Sequence, residues 1–465
     1  MTMASSQGFR TALLVLCVIG SFTTMANESE TALKAVAKSN TEFTSSLYNA
    51  LTQVVDGNLI FSPYSLSAVM AMVKAGAKGR TANDIQTAMK YPTDDNTLFK
   101  GYKALLESLK SDGQNFTLET VNRVYAKTGF KLQSRFTSIV EENFGAKIEQ
   151  LDFTKSSQAA STINDFVART THDKIKDLIS PGDLDSLTRL VLVNAIYFKG
   201  LWKNQFNKQL TKEADFHLNK NDTVKVQMMK IEADFPYGEI EELNAKAIAL
   251  PYQGDRLSMI ILLPNEIEGL KDMEEKLKNF SLASIPSRLR ERKINLSMPK
   301  FTLESTIDLK GPLTAIGAGS IFDETKADFS GIPEDKSEQL YVSKAVQKAF
   351  IEVNEEGSEA AAATAFQITA RSGLDWNELV ELHSPFLAMI VHHQPIDDHH
   401  FHRNHDQHDD DSPTTILFHT TVTNPVVTST MVKASLWASS SSSVVPSFIV
   451  WLVVSLFAVK QLVLW

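Results

Sequence analysis

Cysteine is almost missing from this chain: Cys17 is the only one in 465 residues. No disulfide can form within the molecule and no thiolate metal centre can be assembled. Stability must therefore come from a large apolar core, and 43% of the residues are hydrophobic against 22% charged. Basic charge is not in excess either. The formal net charge is -9, so nothing draws the chain toward nucleic acid or other polyanions, and we expect no nucleic-acid partner. The common catalytic signatures are absent: there is no Gly-x-Ser-x-Gly elbow, no His-Glu-x-x-His and no phosphate loop. That argues against an enzyme. No internal repeat and no Pro/Gly/Ser-rich linker interrupts residues 28 to 390, which read as one domain mixing helices with large sheets.

The first residues have the pattern of a secretory signal. Arg10 precedes an apolar run from Thr11 to Phe22, and small residues follow, with Ala26 the expected last residue before cleavage. The run is too short to cross about 30 Å of hydrocarbon. Removal of residues 1–26 would also remove Cys17 and with it any cysteine nucleophile. In a secreted chain Asn27, Asn115, Asn221, Asn279 and Asn295, each followed two positions later by Ser or Thr, are candidate N-glycosylation sites.

Helical spacing of Leu33, Val36, Phe43, Leu47 and Leu51 predicts a helix over Glu28 to Val55. Leu59 to Phe61 reads as a short strand, and Pro63 opens a helix that ends near Gly76. A further helix runs from Gly79 and Thr81 toward Met89, and an amphipathic one spans Asn164 to Ile179. Leu190 to Phe198 and Leu257 to Leu263 are apolar runs of the kind buried on both faces, and Ile294 to Leu303 is a third, interrupted by Pro299.

The most informative stretch is EVNEEGSEAAAATAFQITARS, from Glu352 to Ser372. Ala and Glu favour helix there. Alternation favours an extended strand: Ser358, Ala360, Ala362, Thr364, Phe366 and Ile368 share one face, and Glu359, Ala361, Ala363, Ala365, Gln367 and Thr369 the other. No bulky side chain occupies its first half, and Gly357 sits at its root, where unusual dihedrals are available.

This stretch resembles the hinge of inhibitory serpins. Asn58-Leu-Ile-Phe-Ser-Pro63, Gly76-Ala-Lys-Gly79, Leu190 through Trp202, Met298-Pro-Lys-Phe301, Ala327-Asp-Phe-Ser-Gly331 and Leu340-Tyr-Val-Ser-Lys344 are similar to signatures of that family, in order. Ser384-Pro-Phe-Leu387, Ile416-Leu-Phe418 and Asn424-Pro425 resemble its C-terminal strands. The resemblance implies an α+β fold of three sheets, about eight to nine helices and an exposed reactive-centre loop, over residues 27–430. It implies a hinge and inserting strand of Glu355, Glu356, Gly357, Ser358, Glu359, Ala360, Ala361, Ala362, Ala363 and Thr364. In inhibitory members the scissile bond lies fourteen residues after the hinge glycine, which places it at Arg371–Ser372.

A lone exposed arginine is ordinarily a solvated surface charge. Arg371, however, is the only Lys or Arg between Gly357 and His383, and a trypsin-like protease carries an aspartate that pairs with arginine in its specificity pocket. The expected partner is therefore a trypsin-like serine protease held in a covalent complex, with the inhibitor a monomer and no cofactor. Ser62, Asn194 and Lys199 lie in the region that the family uses to gate sheet opening, and Gln347 stands where a histidine is common. The absence of cysteine and the arginine bait resemble secreted arthropod serpins. The rival reading is a non-inhibitory serpin acting as a carrier, chaperone or cell-surface binding protein. Such members usually carry bulky, charged or proline residues at the inward-facing hinge positions, and this chain has none there.

Three features stand apart. Lys100, Lys103 and Lys110 on one helix are a candidate glycosaminoglycan contact, equally readable as a solvated face. Seven histidines between His392 and His408, then Asp409 to Asp411, form an atypical insertion over 392–411; their spacing is irregular, and we expect no metal site. Residues 431–465 form a Ser-rich and apolar tail. Ser439 to Ser443 followed by Val444 to Trp465 resembles a GPI-attachment signal, which makes membrane anchoring the alternative to soluble secretion.

Overall fold

The structure is a computed structural model that describes residues 4–110, 116–129, 131–358, 378–393 and 414–433, with side chains from Asn27 onward. Helix α1 (Ala4–Thr52) buries Val36, Phe43, Leu47 and Leu51 on one side. The predicted helix was to begin at Glu28; it continues toward the N-terminus because the apolar run before it is equally helix-compatible. Ser62 caps α2 (Pro63–Gly76): its Oγ accepts from the Ser65 N–H at 3.1 Å, and Pro63 occupies the first turn. Almost every residue of α2 is buried, and its sequence is largely apolar, with Ser65, Ser67 and Lys74 among the buried exceptions. The remaining α-helices are α3 (Gly79–Ala88), α4 (Asp95–Ser108), α5 (Ser134–Phe144), α6 (Ser156–Thr170), α7 (Leu270–Leu277), α8 (Ile285–Arg288) and α9 (Lys310–Leu313). Among the described residues no helix is long and apolar enough to cross a membrane.

In chain order the strands are β1 (Leu59–Phe61), β2 (Phe116–Lys127), β3 (Ile148–Leu151), β4 (Leu190–Leu201), β5 (Lys212–His217), β6 (Thr223–Ile240), β7 (Ala245–Pro251), β8 (Leu257–Pro264), β9 (Arg290–Pro299) and β10 (Phe301–Asp308). They continue with β11 (Val342–Val353), β12 (Gly357–Ser358), β13 (Glu378–Glu381), β14 (Phe386–His393), β15 (Thr414–Val422) and β16 (Ser429–Val432). One sheet has nine strands in the order β1-β15-β14-β8-β7-β6-β9-β13, with β5 also on β6. The long β6 pairs with β5 at its start, β9 along its middle and β7 at its end, so it joins two strand sets. The other sheet runs β16-β10-β11-β4-β2-β3, with β12 on β4. These three strand sets and the helices give the expected α+β architecture. Helix α2 lies between the sheets, against β15 on one side and β2 and β4 on the other.

Three readings change. The run from Ile294 to Leu303 is two strands in different sheets, β9 and β10, because Pro299 ends one ladder and Lys300 carries the chain across. The helix placed over 164–179 spans Ser156–Thr170, and the Asn164 side chain instead ties the following turn by bonding both the N–H and the carbonyl of Ile179. His392 and His393 belong to β14, paired with Thr415 and Thr414, so the His-rich insertion starts after His393. A histidine pair at the end of an apolar run had hidden the strand's last two residues.

Candidate functional site: a parallel seam and its hinge

Inside the seven-stranded sheet all interior neighbours are antiparallel except one. β11 runs parallel to β4, from Val342 opposite Leu190 to Phe350 opposite Tyr197. The other parallel pairs, β10 with β16 and β2 with β3, lie at the sheet's edges. Parallel pairing is somewhat weaker than antiparallel, and a strand entering between β11 and β4 in the opposite direction would be antiparallel to both. The junction is thus the one interior place where an added strand would gain antiparallel pairing on both sides.

The chain leaving β11 turns back at the mouth of this seam. The Asn354 Oδ1 accepts from the N–H groups of Glu356 and Gly357 at 3.0 and 3.3 Å, and its carbonyl accepts from Trp202 Nε1 at 2.9 Å. The carbonyls of Glu355 and Glu356 accept from the backbone of Phe206 and Trp202, each at 2.9 Å. Gly357 has φ +142°, and a Cβ there would lie 2.0 Å from the Gly200 carbonyl oxygen. Only glycine meets both demands. β12 then pairs antiparallel with β4, Gly357 opposite Leu201 and Ser358 opposite Gly200.

Two carboxylates secure the turn. Glu355, whose side chain is 7% exposed, receives Lys300 Nζ at 2.9 Å and the Thr211 hydroxyl at 2.8 Å. Burial pushes its carboxyl up, but the bonds from Lys300 and Thr211 outweigh this and hold it below the usual glutamate range. Glu356 is paired with Lys208, whose ammonium is pushed up by that hydrogen bond.

Deeper in the seam a neutral polar cluster joins three strands to α2. Asn122 on β2, Asn194 on β4 and Gln347 on β11 stand side by side in register. Asn194 Nδ2 donates to Ser65 Oγ and Asn122 Oδ1, and its Oδ1 accepts from Gln347 Nε2. Gln347 also bonds the Ser62 backbone, while Ser62 Oγ donates to the Leu417 carbonyl at 2.6 Å. Ser62, Asn194 and Gln347 are completely buried, and these bonds supply the partners their side chains need there.

The structure therefore brings Ser62 and Asn194 together, but Lys199 lies elsewhere. Five positions further along β4, an odd step, it is on the opposite face and half-buried. Glu355 and Glu356 lie in the turn after β11, and Gly357 and Ser358 form β12 on β4, while Glu359, Ala360, Ala361, Ala362, Ala363, Thr364, Arg371 and Ser372 lie outside the described residues. So does Asn115; Asn27, Asn221, Asn279 and Asn295 are exposed. Lys100 is engaged by Glu28 at 3.0 Å, and Lys103 and Lys110 are exposed. Among the described residues no cluster of three or more His, Cys, Asp or Glu could hold a metal. Sequence reasoning missed Asn122, Ser65, Asn354, Lys208 and Thr211. None of these carries a signal in the sequence short of the fold, since their meeting depends on strand order and register.

A family model described as "Serpin (serine protease inhibitor)" matches residues 38–397. Alaserpin of Manduca sexta is 36% identical over 382 residues, 80% of this chain and 95% of the relative. The leukocyte elastase inhibitor of Homo sapiens is 38% identical over 369 residues, 78% and 96% of the two chains. Among solved structures, Serpin48 of the insect Tenebrio molitor superposes with a TM-score of 0.72 at 32% identity, covering 84% of this chain and 98% of its own. With its central sheet, hinge and buried seam cluster arranged as they are, this chain belongs to the serpin family of serine protease inhibitors.

Proposed function

We propose that the protein is a secreted suicide-substrate inhibitor of trypsin-like serine proteases, with Arg371–Ser372 as the bait bond. The observation that carries this reading is β12: the chain after Gly357 already runs antiparallel to β4 at the mouth of the one parallel interior junction. The protease serine Oγ attacks the Arg371 carbonyl carbon. The Arg371–Ser372 amide breaks, Ser372 leaves as a free amine with the proton delivered by the protease, and an acyl ester remains on Arg371. The freed segment from Ser358 to Ile368 then adds as a strand between β11 and β4. Small residues at alternate positions, Ser358, Ala360 and Ala362, let insertion outrun hydrolysis of the ester. Relatives named as protease inhibitors, including an antichymotrypsin of Bombyx mori at 37% identity, support inhibition as the activity; the arginine supports the protease class.

Incubation with a panel of trypsin-, chymotrypsin- and elastase-like proteases tests this. A complex stable in SDS, with a released fragment beginning at Ser372, is expected for trypsin-like enzymes alone. Simple cleavage without complex would overturn the inhibitory reading, and release from another residue would overturn the bait. Ser358→Arg and Ala360→Pro should convert the inhibitor into a substrate. Secretion, supported by the N-terminal pattern of residues 1–26 and by exposed Asn27, Asn221, Asn279 and Asn295, is tested by N-terminal sequencing of protein exported from cells. A mature start at Asn27 is expected, and retention on the surface until lipase treatment would favour the anchored alternative.

A further inference from the structure

The seven-stranded sheet ends in β16, and its neighbour β10 shows why that matters. β10 is eight residues of uninterrupted register on β11, Phe301 opposite Val353 through Asp308 opposite Val346, with no bulge. It contains no proline and no lysine. Its outward acids are neutralised: Glu304 meets Lys348 at 3.0 Å and Asp308 meets Lys344 at 2.9 Å. The strand thus lacks the usual devices that stop a sheet edge from recruiting another chain.

β16 covers that edge. It pairs parallel with β10, Glu304 opposite Ser429 through Ile307 opposite Val432, and the Glu304 N–H donates to the Thr428 carbonyl at 2.7 Å. The alternation of a parallel ladder then directs the Thr430 N–H to Glu304 and the Thr306 N–H to Thr430. Without β16 the backbone groups of Glu304 and Thr306 would face outward.

One side chain holds the cover in place. Asn58 Oδ1 accepts from the N–H groups of Thr423 and Asn424 at 2.8 and 2.9 Å, and Nδ2 donates to the carbonyls of Asn424 and Val427 at 2.6 and 2.7 Å. The Asn58 carbonyl accepts from the Thr430 hydroxyl at 2.7 Å. Val432 is buried, whereas Val426, Val427 and Met431 stay exposed. The segment is fastened through its backbone and one hydroxyl far more than by apolar packing.

We propose that residues 426–432, clamped by Asn58, are a built-in cap on the β10 edge that prevents a second copy of this chain from pairing there, β10 against β10. Such a contact would be isologous and antiparallel.

Two variants test it: Thr430→Pro in the full chain, which removes one ladder donor and the hydroxyl bond to Asn58, and a chain ending at Thr428. Hydrogen exchange of the β10 peptide at low concentration should be at least tenfold faster at Glu304 and Thr306 in both variants than in the full chain. Raising the concentration should double the variants' mass by light scattering and restore that protection, with exchange in β4 unchanged. Equal exchange in variant and full chain would overturn the cap. A mass that never rises, or association that protects β4 rather than β10, would overturn the edge as the contact surface. A chain ending at Lys433 retains β16 and should stay monomeric; if it associates as the Thr428 truncation does, the proposal fails.

Discussion

Gln347 grips Ser62 by both halves of its backbone: Nε2 donates to the Ser62 carbonyl at 2.9 Å, and Oε1 accepts from the Ser62 N–H at 3.0 Å. This is the tie between β11 and the start of α2, and it involves no ionisable group. Gln347→Leu leaves the Ser62 backbone pair and the Asn194 Oδ1 without it, each a buried group whose desolvation costs about 1–3 kcal/mol. We expect a lower melting temperature and a seam that admits a synthetic peptide of residues 358–368 faster. Gln347→His should instead add pH dependence. Burial disfavours imidazolium, so the folded pKa falls below the unfolded value of about 6.5 and stability is lost as pH falls through that value. Melting curves from pH 5 to 8 distinguish the two variants.

Gly357→Ala tests the hinge. The new Cβ would overlap the Gly200 carbonyl, and the residue would have to hold φ +142°, a strain of roughly 1–3 kcal/mol. Relief comes by lifting β12 off β4. Amide exchange at Ser358 should rise, and on the proposed function more of the inhibitor should be consumed per protease trapped. Unchanged exchange and unchanged stoichiometry would mean that β12 plays no part in starting insertion.

Lys300 and Glu355 make a prediction whose sign reverses on mutation. In the native chain Glu355 sits below the ordinary glutamate range, so its contribution is present above the unfolded pKa and is lost as pH falls through the folded one. Lys300→Met removes the principal group opposing burial. Burial then raises the carboxyl, and the contribution fades as pH rises. Denaturant titrations at pH 4 and pH 7 should show the variant's deficit growing toward pH 7; a deficit greater at pH 4 would contradict the assignment.

Much of this was readable from the chain, for identifiable reasons. β4 and β8 are buried on both faces, so Leu190 to Phe198 and Leu257 to Leu263 announce themselves as unbroken apolar runs. The stretch after Asn354 was readable because Gly357 is followed by small residues whose alternation runs against the local helical preference of Ala and Glu. The seam cluster was only half visible. Asn194 stands out as an amide inside an apolar run, but that Asn122, Gln347 and Ser65 meet it depends on strand order and register, which no local pattern encodes. That Lys199 lies on the opposite face of β4 from Asn194 emerges only when the odd step along the strand is counted. β16 escaped notice because four residues of Ser, Thr, Met and Val beyond Pro425 carry no periodicity; backbone bonds to Asn58 and β10 create the strand.

His419 gives the last test. It lies on β15 with its ring 4.1 Å from that of Tyr48 and 5.1 Å from that of Phe61, and neither ring nitrogen has a hydrogen-bond partner. Burial pushes its pKa down to about 3. His392 on β14 is likewise pushed down to about 3, by burial first and then by the Arg256 charge. Both titrate near 6.5 when unfolded, so between about pH 6.5 and pH 3 the unfolded chain binds the additional protons and stability falls as pH falls. Each histidine contributes up to about 1.4 kcal/mol per pH unit in that window. His419→Leu removes one such contribution and leaves no polar partner stranded, because the imidazole had none. Unfolding free energies between pH 4.5 and 6.5 should therefore show a slope shallower by about that amount, while the difference between the proteins at pH 8 reflects packing against Tyr48 and Phe61 alone. An unaltered slope would mean that His419 is solvated or charged in the native state, and its place in the core would have to be redrawn.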